Sequence, residues 1–381
     1  MSVDPATLKL VEILDKATRE IPLDREELLY LLRVSDENDL AKVFNTARLL
    51  RKRYFDNKVF VYGFVYFSTY CRNECAFCLY RKSNNSLKRY RKTDLEIMKT
   101  ALSLVDSGVH LIDLTMGEDP FYFENKESGF AHMIRAVEMI KKSTNIPIMI
   151  SVGVVPEDIL MEFKEAGVDW YATYQETHNP DLYSRLRLGQ SYVLRMQRKV
   201  EARQMGFLLE EGLLTGVGDT DEDLIDSLEE IKKLGVDQLR VMSFVPQKDT
   251  PMQHFPSVPR LKELLVIAVM RIAFPDRLIP ASLDVDGLNG LAERLNAGAN
   301  VVTSIIPPQS GLAGVSNHSL DIEDGNRTVN KIIPVLEQNG LIMASRGDYA
   351  EWISLHQNKT RVFREESKHA CSNSGGETAR A

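Results

Sequence analysis

A closed parallel (β/α)8 barrel, preceded by helices and followed by a C-terminal extension, is the α/β fold that this 381-residue sequence predicts. Two patterns and one rule carry that reading. Short apolar runs alternate with helix-like stretches along most of the chain. Several of those stretches end in glycine, as at Ala166-Gly167 and Leu234-Gly235, where a left-handed cap costs little. The right-handed crossover rule then leaves few ways to join parallel strands. An open doubly wound sheet is the alternative.

The elements follow in order. Residues 1–56 read as a helical segment, with Leu8, Val11, Ile13 and Leu14, then Leu28, Leu29, Leu31 and Leu32, at helical spacing. From Lys58 the texture changes to VFVYGFVYFS, rich in the β-branched and aromatic residues of a strand. Seven further runs are HLIDLT (110–115), IPIMISV (146–152), DWYATY (169–174), GFLLEEGLL (206–214), QLRVMSF (238–244), RLIPASL (277–283) and NVVTSI (300–305). Between them lie helical patterns such as Asp94–Ser107, Ile134–Lys142, Asp158–Ala166, Asp221–Leu234 and Leu261–Ile272. The predicted barrel occupies 57–306. Pro307-Pro308 opens a closing segment, 307–353, with a helix around Val329–Gln338. Residues 354–381 form a tail whose last part, KHACSNSGGETARA, is polar and expected to be disordered.

Composition narrows the function. Hydrophobic residues make up 44% and charged residues 27%, as in ordinary globular proteins. A formal net charge of -7 argues against a nucleic-acid partner. No apolar run reaches the roughly 18 residues of a membrane span. The N-terminal MSVDPATLKLVEILDKATRE lacks the apolar core of a secretory signal. A cytoplasmic protein is expected.

Cysteine usage is more pointed. Three of four cysteines fall in YCRNECAFCLY, residues 70–80, with the spacing C-x3-C-x2-C; the fourth, Cys371, sits in the tail. Thiolates are the usual ligands of iron–sulfur clusters, and three from one loop leave the fourth iron of a cube open. A closed zinc site would want a fourth Cys or His, which the loop does not offer. Three unrelated cysteines remain the bland alternative, although the charged surroundings suit it poorly. The triplet follows the first strand, and barrel active sites lie on the loops after strand C-termini. Phe77 would set an aromatic face against the site or simply pack in the core.

The other strand ends supply further polar groups. Asp113 precedes Met116-Gly117-Glu118-Asp119, whose acids are either site groups or solvated turn residues. The third strand ends in Ser151, and the fourth leads into Tyr174, Gln175, Glu176 and Thr177. Arg195 follows on a helical stretch, facing either the site or solvent. Arg240 interrupts an apolar strand, Ser282 and Asp284 end the seventh, and Thr303 and Ser304 end the eighth. A charge within an apolar strand is rarely unpaired, so Arg240 and Asp284 could form a structural ion pair. Alternatively, Asp113, Arg240, Ser282 and Asp284 converge on a small zwitterion, Arg for a carboxylate and Asp for an ammonium. Lysine or ornithine fits that description.

The cysteine spacing, the aromatic before the third cysteine and the preceding strand resemble the radical S-adenosylmethionine (radical SAM) superfamily. That resemblance implies a TIM barrel of the radical SAM type. It also implies a [4Fe-4S] cluster on Cys71, Cys75 and Cys78, with SAM chelated to the open iron and cleaved to a 5′-deoxyadenosyl radical. Met116-Gly117-Glu118 looks like a variant of the family turn that meets the SAM amino group. More narrowly, FSTYCRNECAFC (67–78), LIDLTMGEDP (111–120), TYQETHNPDLYSRLRLGQS (173–191), LRVMSFVPQ (239–247), RLIPASLD (277–284) and RLNAGANVVTSIIPP (294–308) are similar to the methylornithine synthase family. The implied reaction is the isomerisation of L-lysine to (3R)-3-methyl-D-ornithine in pyrrolysine biosynthesis, by hydrogen abstraction, Cα–Cβ scission and recombination. By motif position, Asp113, Arg240, Ser282 and Asp284 would bind substrate. Phe77, Glu118, Ser151, Tyr174, Glu176, Arg195, Val245 and Thr303 would contact SAM. No side chain is expected as a direct acid or base. A low-potential electron donor such as a flavodoxin or ferredoxin is implied as partner. The competing readings are another biotin synthase-like enzyme, poorly served by the one remaining cysteine, and a non-catalytic iron–sulfur module, which would want four protein ligands.

Overall fold

The strand β1, Lys58–Ser68, is apolar from Val59 to Phe67 because both of its faces are buried there. Phe60, Tyr62, Phe64 and Tyr66 pack on one face with Leu111, Met149, Trp170 and Leu208. Val59, Val61, Val65 and Phe67 join the larger core under the helices. This alternation is that of a barrel strand, with the aromatic row inside. The structure, a computed structural model, describes residues 5–308 and 326–358; the tail around Cys371, expected to be disordered, lies outside the described residues.

The remaining strands are β2 (Leu111–Met116), β3 (Ile148–Ser151), β4 (Trp170–Ala172), β5 (Leu208–Thr215), β6 (Gln238–Ser243), β7 (Pro280–Ser282), β8 (Val301–Ile305) and β9 (Ile342–Met343). The ladder runs β6-β5-β4-β3-β2-β1-β8-β7, every pair parallel, with β9 added beside β1. Between β6 and β7 the seam is narrow. Gln238 bridges Leu278, and Leu239 N–H donates to Leu278 O at 2.9 Å. The eight expected runs thus form a nearly closed barrel, and the open doubly wound sheet is excluded.

Several boundaries differ from expectation, as where β7 is confined to Pro280–Ser282. The fourth strand stops at Ala172 rather than Tyr174, because the chain turns away to place Glu176 at φ 68°, bridging Leu213. The helix expected at Ile134–Lys142 runs from Lys126 to Thr144.

Three helices precede the barrel: α1 (Pro5–Thr18), α2 (Arg25–Leu32) and α3 (Glu37–Phe55). Asp24 caps α2 in a box with Glu27, and Asp36 caps α3. They pack outside the barrel, α3 against the helix Arg260–Ala273 and α2 against that helix and Asp221–Leu234. At the other end of the chain, helical residues 346–358 cover the base of the barrel. There the Tyr349 and Tyr62 hydroxyls meet at 2.7 Å, and Trp352 stacks on Trp170 with centroids 5.8 Å apart. Among the described residues no helix is long and apolar enough to cross a membrane.

Candidate active site

At the C-terminal ends of the strands lies a cavity of about 210 Å³. Cys71, Cys75 and Cys78 all line it, on the loop that follows β1. Arg89 stitches that loop together: its guanidinium donates to the carbonyls of Thr69, Tyr80, Arg81 and Asn84. Gly117, in the turn after β2, abuts the loop. A Cβ there would stand 2.8 Å from both Cys71 Cβ and Tyr70 O, so a side chain is excluded by backbone as well as by the cysteine.

Two N–H groups are aimed at Cys75 Sγ: Gln190 Nε2 at 3.0 Å and Arg187 Nη1 at 3.7 Å. Burial and the neighbouring sulfurs push the Cys78 thiol well above its ordinary range, and burial lifts Cys71 to about 11. Three crowded thiols ionise with difficulty unless a cation shares them. Among the described residues no three His, Cys, Asp or Glu side chains are gathered tightly enough for a single ion. Three thiols from one loop with N–H donors on one sulfur suit a cluster better than a zinc cage.

The turn after β2 is built around two buried acids rather than solvated ones. Glu118 accepts from Arg72 Nε at 2.9 Å and Val154 N at 3.0 Å, with Arg195 Nη2 at 3.6 Å. Gly153, at φ 89°, makes room for it, since a Cβ there would lie 2.2 Å from Glu118 Cγ. Asp119 is held by Arg91 at 2.6 and 2.7 Å and by Ser68 Oγ at 2.6 Å, and its side chain caps the short helix Pro120–Glu124.

Arg195, on the helix Tyr192–Met205, is buried rather than on a solvated face. It donates to Thr173 Oγ1 and Gln190 Oε1, both at 2.7 Å. Glu176 accepts from Arg187 Nη2 at 2.6 Å. Both residues line the cavity, as do Phe77, Glu118, Ser151, Tyr174 and Val245. Phe77 also packs against Arg187, whose guanidinium lies 5.6 Å from its ring centroid.

Deeper in the barrel, Asp113, Arg240 and Asp284 also line the cavity. Asp113 accepts from Ser151 Oγ at 3.0 Å, and its Oδ1 has no protein partner. Burial, then the nearby Glu210, raises its carboxyl well above the usual range. The ion pair considered as an alternative for Arg240 and Asp284 is not formed. Arg240 Nε instead donates to Glu210 Oε1 at 2.7 Å and Nη1 to Thr303 Oγ1 at 3.0 Å, leaving Nη2 without a protein partner. Asp284 accepts from Tyr66 at 2.6 Å, Ser304 at 2.8 Å and Arg327 at 3.0 Å. Each charge thus has its own partner, Glu210 on β5 for Arg240 and Arg327 from beyond β8 for Asp284.

Ser282 and Thr303 do not reach the cavity wall. They are register partners on β7 and β8, one layer below, where Ser282 leans on Asp284 at 3.4 Å and Thr303 steadies Arg240. Sequence reasoning missed Glu210, Arg187, Gln190 and Arg327. The first carried a signal: in GFLLEEGLL, alternation turns Glu210 inward and Glu211 outward to Lys199. Arg327 lies beyond the last barrel strand and carried none.

A Radical SAM superfamily signature matches residues 65–242. The chain is 42% identical over 344 residues to 3-methylornithine synthase of Methanosarcina acetivorans, covering 90% of this chain and 97% of that one. The Methanosarcina barkeri protein of the same name is 42% identical over 335 residues, covering 88% and 94%. A crystal structure of methylornithine synthase (PylB) superposes with a TM-score of 0.84 at 41% identity, over 89% of this chain and 99% of that one. The [FeFe] hydrogenase maturase subunit HydE of Thermotoga maritima is 32% identical over 76% of this chain and 82% of its own. Barrel, thiol loop and signature together are those of a radical SAM protein. Within that class the chain belongs to the 3-methylornithine synthase family.

Proposed function

We propose that this protein is a radical SAM mutase that isomerises L-lysine to (3R)-3-methyl-D-ornithine in pyrrolysine biosynthesis, the product for which its relatives are named. The charge balance around Asp113 supports lysine as substrate. Three carboxylates, Asp113, Glu210 and Asp284, face two guanidiniums, Arg240 and Arg327. With all ionised, one negative charge is left over. Lysine, with two ammoniums and one carboxylate, brings one positive.

In this reading Cys71, Cys75 and Cys78 would hold a [4Fe-4S] cluster, which together with SAM would supply hydrogen abstraction from an unactivated carbon. Arg195 is suited to the carboxylate of SAM's methionine part and Glu118 and Glu176 to its hydrogen-bond donors. Phe77, Ser151, Tyr174 and Val245 complete the wall. The free Nη2 edge of Arg240 takes the lysine α-carboxylate, and Asp284 takes the α-ammonium. Asp113 Oδ1 takes the ε-ammonium. Ser282 and Thr303 act from behind, by fixing Asp284 and Arg240. Phe64, Tyr66 and Tyr174 wall the chamber, so substrate fragments are held away from water. Activation calls for a low-potential one-electron donor, and the reduced thiols suit the cytoplasm.

Anaerobically reconstituted protein, given isotopically labelled lysine, SAM and a reductant, is expected to yield labelled 3-methylornithine. Lysine-dependent formation of 5′-deoxyadenosine with a different product would refute the substrate assignment.

A further inference from the structure

The stretch 70–92, which carries the three cysteines, holds seven Lys or Arg and one acid, Glu74, in a chain whose net charge is -7. Four of the seven serve the loop itself. Arg72 pairs with Glu118, Arg81 with Glu74 and Arg91 with Asp119, while Arg89 binds loop carbonyls. Lys82 and Lys88 are exposed, and neither makes an ion pair among the described residues. Exposed Lys248 joins them from the loop after β6, because Asn84 Nδ2 donates to its carbonyl at 2.9 Å.

All three are fastened close to the thiols. Lys82 N–H donates to Asn73 O, between Cys71 and Cys75 in sequence, at 2.8 Å. Lys88 O accepts from Thr69 Oγ1, two residues before Cys71, at 3.3 Å. Met252 N–H, four residues after Lys248, donates to Ala76 O at 3.3 Å. None of the three lysines lines the cavity. They therefore mark the solvent side of the loop whose inner side carries the cysteines.

We infer that the face presented by Lys82, Lys88 and Lys248 is the docking surface for a small acidic one-electron carrier protein. The inference rests on the reading that the thiols hold a cluster. An electron delivered there arrives at the segment that carries the cysteines. The carrier is oxidised by one electron and the cluster reduced by one, and no proton or covalent bond changes hands. Opposite charge on the carrier raises the encounter rate and orients it, an effect that salt removes.

The test uses reconstituted full-length protein and a reduced acidic ferredoxin, following the cluster absorbance by stopped flow. The triple variant Lys82→Glu/Lys88→Glu/Lys248→Glu is expected to lower the second-order reduction rate at least about tenfold at low ionic strength. Wild type and variant should converge near 1 M salt, where the screening length is roughly 3 Å. Iron content and photoreduction by neutral 5-deazaflavin should be unchanged in the variant. An equal ferredoxin rate in the two proteins at low salt, or no reduction of wild type by ferredoxin, overturns the docking surface. Failure of wild type to bind iron or to accept an electron from deazaflavin overturns the cluster reading, and this inference with it.

Discussion

Arg240 pairs with Glu210 and, in the proposed reading, also holds substrate, and a single substitution confounds the two. Removing it strands Glu210, buried and already short of a partner at Oε2. Arg240→Gln should therefore cost the apo protein roughly 3–5 kcal/mol as well as weaken lysine use. The pair Arg240→Met/Glu210→Met separates the roles. Thermal melts should return close to wild type while lysine turnover stays low, and a double variant that turns lysine over normally would remove Arg240 from the site. Asp113 gives the opposite balance. Its folded pKa lies above the unfolded value of about 3.9, so the native state binds the extra proton. Stability therefore falls as pH rises from the unfolded value through the raised one. Asp113→Asn should melt above wild type at neutral pH and approach it near pH 4. Lysine binding to wild type should release a proton, read by calorimetry in buffers of different ionisation heat, and to the variant none. Asp113, Arg240 and Asp284 were legible because a charge within or just after an apolar strand needs a reason. What could not be read was who satisfies whom: that depends on strand order and tilt, which set Glu210 and not Asp284 beside Arg240.

Among the elements, the cysteine loop is the one whose shape is most tightly prescribed. Its spacing announced the chemistry, but its geometry comes from residues that no motif marks, Arg89 with its carbonyl contacts and Gly117 behind Cys71. Gly117→Ala should destabilise the protein by roughly 1–3 kcal/mol through overpacking and lower its iron content. Full iron occupancy and an unshifted melt would show that the contact yields. Replacing Cys71, Cys75 or Cys78 by Ala should each abolish the normal cluster spectrum, whereas Cys371→Ala should leave about four irons per chain, as a cubane requires. Retention of the spectrum in the Cys75 variant counts against the ligand assignment. The strands themselves were legible from apolar runs and glycine caps. The early end of β4 was not, because Tyr174 and Glu176 continue the pattern while the backbone at Glu176 turns left-handed.

For the molecule as a whole, the least legible feature is the closure of the barrel base. Nothing in the sequence beyond Pro307 says that Tyr349 will meet Tyr62, or Trp352 meet Trp170, across long stretches of intervening chain. Trp352 is almost fully buried, so Trp352→Ala should cost roughly 3–5 kcal/mol in a denaturant melt without changing iron content. A loss under about 1 kcal/mol, the scale of an ordinary surface change, would mean that the helix at 346–358 is an ornament rather than a seal. The N-terminal helices lean on Arg260–Ala273 and Asp221–Leu234, so they brace the outside of the barrel while residues 346–358 close its base.

The position of β1 bears on how the protein emerges from the ribosome. Its partner on one side, β8, is translated more than two hundred residues after it. At roughly 5–20 residues per second, that flank of an aromatic-rich strand waits some ten to fifty seconds for its neighbour. During synthesis β1 is thus an open template for wrong pairing, and slow translation or a shortage of holding chaperones should reduce the yield of this protein before any step of its chemistry is reached.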